Sequence, residues 1–137
     1  MKADLSYWKN MMDNPSDFDA LKLYKNTNEL LNDAVDKYAH LLALRSKEVS
    51  KTYQEFYDDV SFLRTKLIKI GLVKGNHIGL LFRNEYDFVT SFFAASSLGM
   101  VVAIMPVTLP KEAILGLVNK FDIDLEAATN VAKLFHD

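Results

Sequence analysis

Apolar positions change their spacing several times along the chain, and each change marks an element. Residues 28–38 carry Leu30, Leu31, Ala34, Val35 and Tyr38. That narrow stripe has the spacing of an amphipathic helix, and Thr27 or Asn28 can cap it. Residues 41–45 form a short apolar run that suits a strand, and Glu48–Tyr53 suits a second strand after a turn. Thr52 and Glu55 then stand in the T-x-x-E order of a capping box, in which hydroxyl and carboxylate each accept from the other residue's backbone N–H. Phe56, Val60, Leu63, Leu67 and Ile70 follow along one helical face, and Gly71 falls where a left-handed residue ends a helix. His77–Phe82 and Val101–Met105 are short runs without alternation, the pattern of strands buried on both faces of a parallel sheet. Between them, Asn84 can cap a helix containing Phe88, Val89, Phe92, Phe93 and Ala95, closed by Gly99. Pro106 stops the second run. Pro110 suits the first turn of a helix whose stripe is Ile114, Leu117, Val118 and Phe121.

From Val49 to Phe121 the order is therefore strand, helix, strand, helix, strand, helix. Parallel strands need such crossovers. The expected fold class is α/β, with a mainly parallel sheet flanked by helices. Residues 1–25 read as an irregular N-terminal arm with a turn at Asn14-Pro15-Ser16, and residues 26–123 as the α/β unit. Residues 124–137 form a terminal segment of ambiguous type. Leu125, Ala128, Val131, Leu134 and Phe135 have helical spacing, which favours helix, although Val131–Phe135 also suits the start of a strand.

Composition narrows the chemistry. Half of the 137 residues are hydrophobic, a quarter are charged, and the net charge is −2, an ordinary globular balance. No basic stripe points to nucleic acid. There is no cysteine, which excludes disulfides, thiolate metal sites and cysteine nucleophiles. No basic leader with an apolar run opens the chain, and a cytoplasmic location is expected. The longest apolar stretch, Phe88–Met105, is interrupted by Thr90, Ser91, Ser96, Ser97 and Gly99. A membrane helix needs about 20 mostly apolar residues, so no span is expected. Neither a G-x-x-x-x-G-K-[ST] loop nor a G-x-G-x-x-G turn is present, and Ser96-Ser97-Leu98-Gly99 is not a nucleophile elbow. Gly71, Gly75 and Gly79 read as turn and close-packing glycines. His40, His77 and His136 have no second ligand at metal spacing, and Asp58-Asp59 reads as a solvated helix face. The strands are followed by Arg83-Asn84 and by Pro106, so neither offers the carboxylate that a phosphoacceptor domain needs.

The residues themselves carry a resemblance. Lys51-Thr52-Tyr53-Gln54-Glu55-Phe56 resembles the L-[TS]-Y-x-E-[LF] motif of acyl- and aminoacyl-adenylate-forming enzymes. Gly71 to Leu80 resembles their G-[VL]-x-x-G-D-x-[VI]-x-[LI] segment, with Asn76 in place of the usual aspartate. Asn84 and the aromatic helix after it, Leu98 to Pro106, and Leu109-Pro110-Lys111-Glu112 match the next three steps in order. The wording is closest to fatty acyl-CoA synthetases, and the likeness covers about residues 27–123 before departing at Asp124–Asn130.

The resemblance implies an incomplete part of the large N-terminal domain of an AMP-binding, adenylate-forming ligase. Such an enzyme joins a carboxylic acid, here a fatty acid, to AMP with release of pyrophosphate, and then to CoA. It also implies that ATP, Mg2+ and CoA serve the full-length parent and that the parent's remaining chain is a partner. The phosphate loop, the nucleotide contacts, the magnesium-binding acid and the catalytic lysine all come later in the family. No catalytic, cofactor-binding or metal residue is therefore assigned, no cofactor is expected within these residues, and the chain alone is expected to be inactive. The alternative is a non-catalytic short paralogue or truncated product acting as an interaction module. An open sheet edge would then favour self-association.

Overall fold

The computed structural model describes residues 5–83 and 85–123. Its first two elements are short helices, α1 (Ser6–Asn10) and α2 (Pro15–Asp19), where the sequence suggested an irregular arm. Asn14-Pro15-Ser16 is a helix start. The Asn14 side chain accepts from the Ser16 N–H, and Pro15 occupies the first turn, where its missing N–H leaves no bond unmade. Lys9 Nζ lies 2.7 Å from Asp19 Oδ1, joining the two helices.

In α3 (Thr27–Tyr38) the cap is Asn26, just before the residues expected, and it accepts from the Glu29 N–H at 2.8 Å. Leu31 is buried while Leu30 and Tyr38 stay exposed, so only part of the stripe is used. β1 (Leu42–Arg45) and β2 (Ser50–Thr52) form an antiparallel hairpin. β2 leads directly into α4 (Tyr53–Lys69), where both halves of the capping box are made. Glu55 N–H donates to Thr52 Oγ1 at 3.2 Å, and Thr52 N–H donates to Glu55 Oε2 at 2.8 Å. β3 (His77–Leu80), α5 (Tyr86–Ser97), β4 (Val101–Ile104) and α6 (Lys111–Lys120) complete the order. The first residue before α5 is Glu85, which makes no side-chain cap bond; the predicted cap Asn84 and the segment 124–137 lie outside the described residues.

The expected mainly parallel sheet is corrected. Among the described residues there are two two-stranded sheets, β1-β2 antiparallel and β3-β4 parallel. Residues 46–49 are enough for a hairpin and too few for a parallel crossover, so β2 pairs back on β1. β3 and β4 pair in register from His77↔Val101 to Leu80↔Ile104, joined through α5.

The core lies where α4 and α5 pack on one side of β3 and β4. Phe56, Val60, Leu63 and Leu67 of α4 meet Ala94 and Ala95 of α5, with Ile78 and Leu80 beneath. Phe56 stands edge-on to Phe93 with ring centroids 5.2 Å apart, a favoured aromatic geometry. The expectation that β4 is buried on both faces fails: Val101 is 50% and Ile104 57% exposed.

Three helices end in one way. After α4, Gly71 N–H donates to the Ile68 carbonyl and Leu72 N–H to Leu67. After α5, Gly99 and Met100 repeat those bonds to Ser96 and Ala95. Gly71 and Gly99 have φ of +89° and +76°, the left-handed geometry that this double closure requires. After α6 the same role falls to Asp122, at φ +50°, with Ile123 N–H donating to Val118. In each case the residue after the left-handed one (Leu72, Met100 or Ile123) is buried. The closure therefore turns the chain back into the fold.

Candidate functional site

The parallel pair decides where a ligand could approach. β3 and β4 end on the same side, and open α/β sheets bind ligands beyond the carboxyl ends of their strands. There Phe82, Arg83, Pro106, Val107 and Thr108 surround an open hollow of about 510 Å³. Arg83 and Thr108 are both exposed, one a cationic donor and the other a hydroxyl. Among the described residues, Arg83 and Thr108 give the hollow donors for an anionic group.

A second hollow, of about 210 Å³, lies between the β1-β2 hairpin and the start of α5. Leu44, Val49 and Val89 make its apolar lining, and Arg45, Ser46, Glu85 and Tyr86 its polar side.

Beside it stands a cluster that pattern reading missed. Tyr86 O–H donates to Asp59 Oδ2 at 2.5 Å, and Lys51 Nζ lies 3.0 Å from the same oxygen. Lys51 also sits 5.4 Å over the Tyr86 ring. Asp59 is thus not the solvated helix face expected of Asp58-Asp59; it is half-buried and doubly bonded, while Asp58 is exposed. Burial pushes the Asp59 carboxyl up, but the bonds from Tyr86 and Lys51 together outweigh it and hold the group below the usual range. Burial, and then the Asp59 carboxylate, push the Tyr86 phenol well above its ordinary value. Both shifts move away from neutrality, so neither group exchanges a proton near pH 7, as a general acid or base must. The cluster ties β2, α4 and α5 together.

Asp33 is a second hub. It accepts from Lys22 Nζ and Lys37 Nζ, both at 2.8 Å, and from Tyr24 O–H at 2.5 Å. The Lys22 bond, followed by those from Lys37 and Tyr24, holds its carboxyl well below the usual range. Its role is to fasten residues 22–24 to α3. Neither hub was legible in sequence: with the exception of the helical pair Asp33–Lys37, the bonded partners stand 8 to 27 residues from one another.

His40 is exposed, whereas His77 Nδ1–H donates to the Phe121 carbonyl at 2.7 Å. His136 lies outside the described residues. Among the described residues no group of three His, Cys, Asp or Glu side chains is placed to hold a metal ion. No described helix is long and apolar enough to cross a membrane. Asn76, the departure from the usual aspartate, accepts the Val73 N–H through Oδ1 at 2.7 Å, a bond that a carboxylate oxygen would equally accept.

Comparison with known proteins agrees with this architecture. Residues 31–130 match the family described as AMP-binding enzyme. The medium-chain acyl-CoA ligase ACSF2, mitochondrial, of Danio rerio is 36% identical over 59 residues, which are 42% of this chain and 10% of that protein. The fatty acyl CoA synthetase of Mycobacterium tuberculosis superposes with a TM-score of 0.70 at 19% identity, over 82% of this chain and 24% of its own. The NpsA N-terminal subdomain of Klebsiella oxytoca gives 0.70 at 17%, over 73% and 26%. The chain thus spans a tenth of the curated relative and about a quarter of these two structures.

Proposed function

Because this chain belongs to the AMP-binding enzyme family, we propose that it is the amino-terminal part of an ATP-dependent carboxylate–CoA ligase acting on a fatty acid in the cytoplasm. In that reaction a carboxylate oxygen attacks the α-phosphate of ATP, the bond to pyrophosphate breaks, and acyl-AMP forms. The thiol of CoA then displaces AMP. Magnesium, when bound, offsets charge on the phosphates.

The observation that carries this reading is the run of five family-like segments in register, each of which meets its counterpart element in the fold. Lys51–Phe56 is the β2-α4 junction and Gly71–Leu80 the turn into β3. The segment after Asn84 is α5, Leu98–Pro106 contains β4, and Leu109–Glu112 opens α6. The likeness to a medium-chain acyl-CoA ligase supports CoA as acceptor and a fatty acid as substrate.

The described residues offer neither a metal ligand set nor a phosphate-binding loop. In this reading the groups that hold ATP and magnesium lie outside them, and this part supplies scaffold. It is inactive alone. The test is acid-dependent release of pyrophosphate, with acetate through palmitate, by this chain and by the polypeptide of the uninterrupted reading frame. The proposal expects the longer polypeptide to release pyrophosphate and consume CoA, and this chain to do neither. Turnover by this chain, or none by the longer one, overturns it.

The exposed apolar β4 also favours the reading as an interaction module. An antibody against this chain separates the two: a native band several-fold heavier supports the ligase, and a band at 15.6 kDa supports the module.

A further inference from the structure

The net charge of −2 conceals an uneven distribution. Between Asp59 and Glu85 the sequence contains Arg64, Lys66, Lys69, Lys74 and Arg83, and neither aspartate nor glutamate. The fold gathers the three lysines on one surface. Residues 62, 65, 66 and 69 stand at i, i+3, i+4 and i+7 of α4, on the face turned away from the buried stripe of Phe56, Val60, Leu63 and Leu67. The closure at Gly71 then brings Val73 and Lys74 to the end of that helix, where Asn76 Oδ1 accepts the Val73 N–H. The Lys74 stem lies on the corresponding closure after α5: a Cβ built on Gly99 would stand 2.9 Å from Lys74 Cγ.

Apolar side chains are exposed on the same surface. Phe62, Ile68 and Val73 are 64%, 56% and 61% exposed. Lys66 Nζ sits 4.5 Å from the centroid of the Phe62 ring. Among the described residues, Lys66, Lys69 and Lys74 form no ion pair, whereas Lys9, Lys22, Lys37 and Lys51 each meet a carboxylate. The helix dipole accounts for lysines in the last turns of α4. It accounts neither for Lys74, which lies beyond the helix, nor for bare apolar side chains standing among the lysines.

We propose that this face, formed by Phe62, Lys66, Ile68, Lys69, Val73 and Lys74, docks on the surface of an anionic lipid bilayer. The interleaving of cations and apolar groups decides the class of partner. Cores of protein interfaces are depleted of lysine, but here the lysines stand within the apolar patch. Nucleic acid takes up the cations and leaves the aliphatic side chains without a place. A bilayer surface takes both. The apolar groups enter the headgroup boundary, the lysine stems lie along it, and the ammonium heads reach the lipid phosphates. Acids bound the face at the starts of α4 and α5. Asp87 shares a hollow with Phe62 and Lys66, and Asp58 stands one turn before Phe62. The molecule therefore seats on the carboxyl end of α4 and the amino ends of β3 and β4. The hollow beside Arg83 lies at the opposite ends of those strands and stays open to water. This docking rests on the surface alone, whether or not the chain is part of a ligase.

Co-sedimentation of the full chain with vesicles tests this, using phosphatidylcholine alone and phosphatidylcholine with about one quarter phosphatidylserine. The chain is expected to bind the mixed vesicles, to ignore the neutral ones, and to dissociate as salt is raised. Each lysine near an anionic surface contributes about five-fold, so a Lys66→Gln, Lys69→Gln, Lys74→Gln chain binds on the order of 100-fold more weakly. The same charge change on other exposed lysines, Lys47→Gln, Lys111→Gln, Lys120→Gln, alters binding by less than about five-fold. Phe62→Ser also weakens binding to the mixed vesicles. Equal binding to both vesicle types, binding to neither, or equal loss in the two triple variants overturns the proposal. So does unchanged vesicle binding by Phe62→Ser, which together with capture of duplex DNA would assign the face to nucleic acid. Where a variant fails to fold, the contrast between the two vesicle types in the unaltered chain still decides.

Discussion

Replacing Gly79 by alanine tests the docking of α6 through the sign of its effect. In an unobstructed strand, alanine in place of glycine stabilises by about 0.5–1 kcal/mol, because glycine loses more backbone freedom on folding. Here the new Cβ would stand 2.4 Å from Met105 Cε and 2.8 Å from Ile123 Cδ1. Both side chains are buried, at 4% and 8% exposure, so neither can swing into open solvent without losing its packing. Overpacking of this kind costs about 1–3 kcal/mol. The thioether is adaptable but the β-branched isoleucine is stiff, which places the cost near the middle of that range, about 2 kcal/mol. The expected net effect of Gly79→Ala is a loss of about 1 kcal/mol. Urea unfolding measures it as a lower midpoint at unchanged slope. In an Ile123→Val background, which removes Cδ1, the loss shrinks, and the coupling exceeds about 0.5 kcal/mol. A gain in stability from Gly79→Ala, or strict additivity in the cycle, refutes the packing of Ile123 and Met105 on β3.

Four further outcomes follow from the same geometry. Thr52→Ala removes the hydroxyl that accepts the Glu55 N–H and lowers stability by about 1 kcal/mol in denaturant titration, while Thr52→Ser changes it little. The Asp59 carboxyl is lowered in the folded chain, so its contribution is present above the unfolded value of about 4 and is lost as pH falls below it. The Tyr86 phenol is raised, so its contribution is full below about 10 and is lost as pH climbs beyond. Tyr86→Phe should flatten the alkaline limb and weaken the acid limb of a stability–pH profile; an unchanged profile counts against the pair. Asp33→Asn releases Lys22 and Lys37, and trypsin then cleaves at Lys22 and Lys25 faster than in the parent chain, with the core unaffected. Ile104→Lys places a charge on the exposed end of β4 and should reduce self-association in concentration-dependent light scattering, with a stability change within about 0.5 kcal/mol.

What was legible in the sequence was what local physics decides. The capping box at Thr52 and Glu55, the helical face from Phe56 to Leu67, and the closures at Gly71 and Gly99 depend on residues within one or two turns of each other. Each is realised in the fold. Asn26 escaped because two polar residues after it looked equally able to cap. The third closure escaped because aspartate, not glycine, takes the left-handed position. The partition of strands into two sheets escaped because period alone does not say which strand pairs with which. The hubs at Asp33 and Asp59 escaped for a related reason. Most of their partners come from other elements, and only the fold brings Lys51 and Tyr86 to one carboxylate oxygen.

The remaining discrepancy is the most informative about function. Val101–Ile104 has the composition of a strand covered on both faces, yet its two end residues are half exposed among the described residues. α6 shows the same mismatch. Ile114, Leu117 and Val118 form a regular stripe, but no residue of the helix is buried, and Leu115 and Phe121 are 50% and 44% exposed. In α4 the same kind of stripe is buried at four positions. An apolar pattern records the covering under which a side chain is stable, because bare apolar surface costs about 25 cal/mol per Å² relative to burial. Where pattern and exposure agree, as in α4 and β3, the described residues supply the cover themselves. Where they part, at β4 and along α6, the other described residues leave the apolar surface open. The mismatch falls on both faces of β4, Val101 on one and Ile104 on the other, and the carboxyl-end hollow with Arg83 opens at the end of the same strands. The described residues of β4 and α6 thus leave apolar surface open on the strands that end at this hollow.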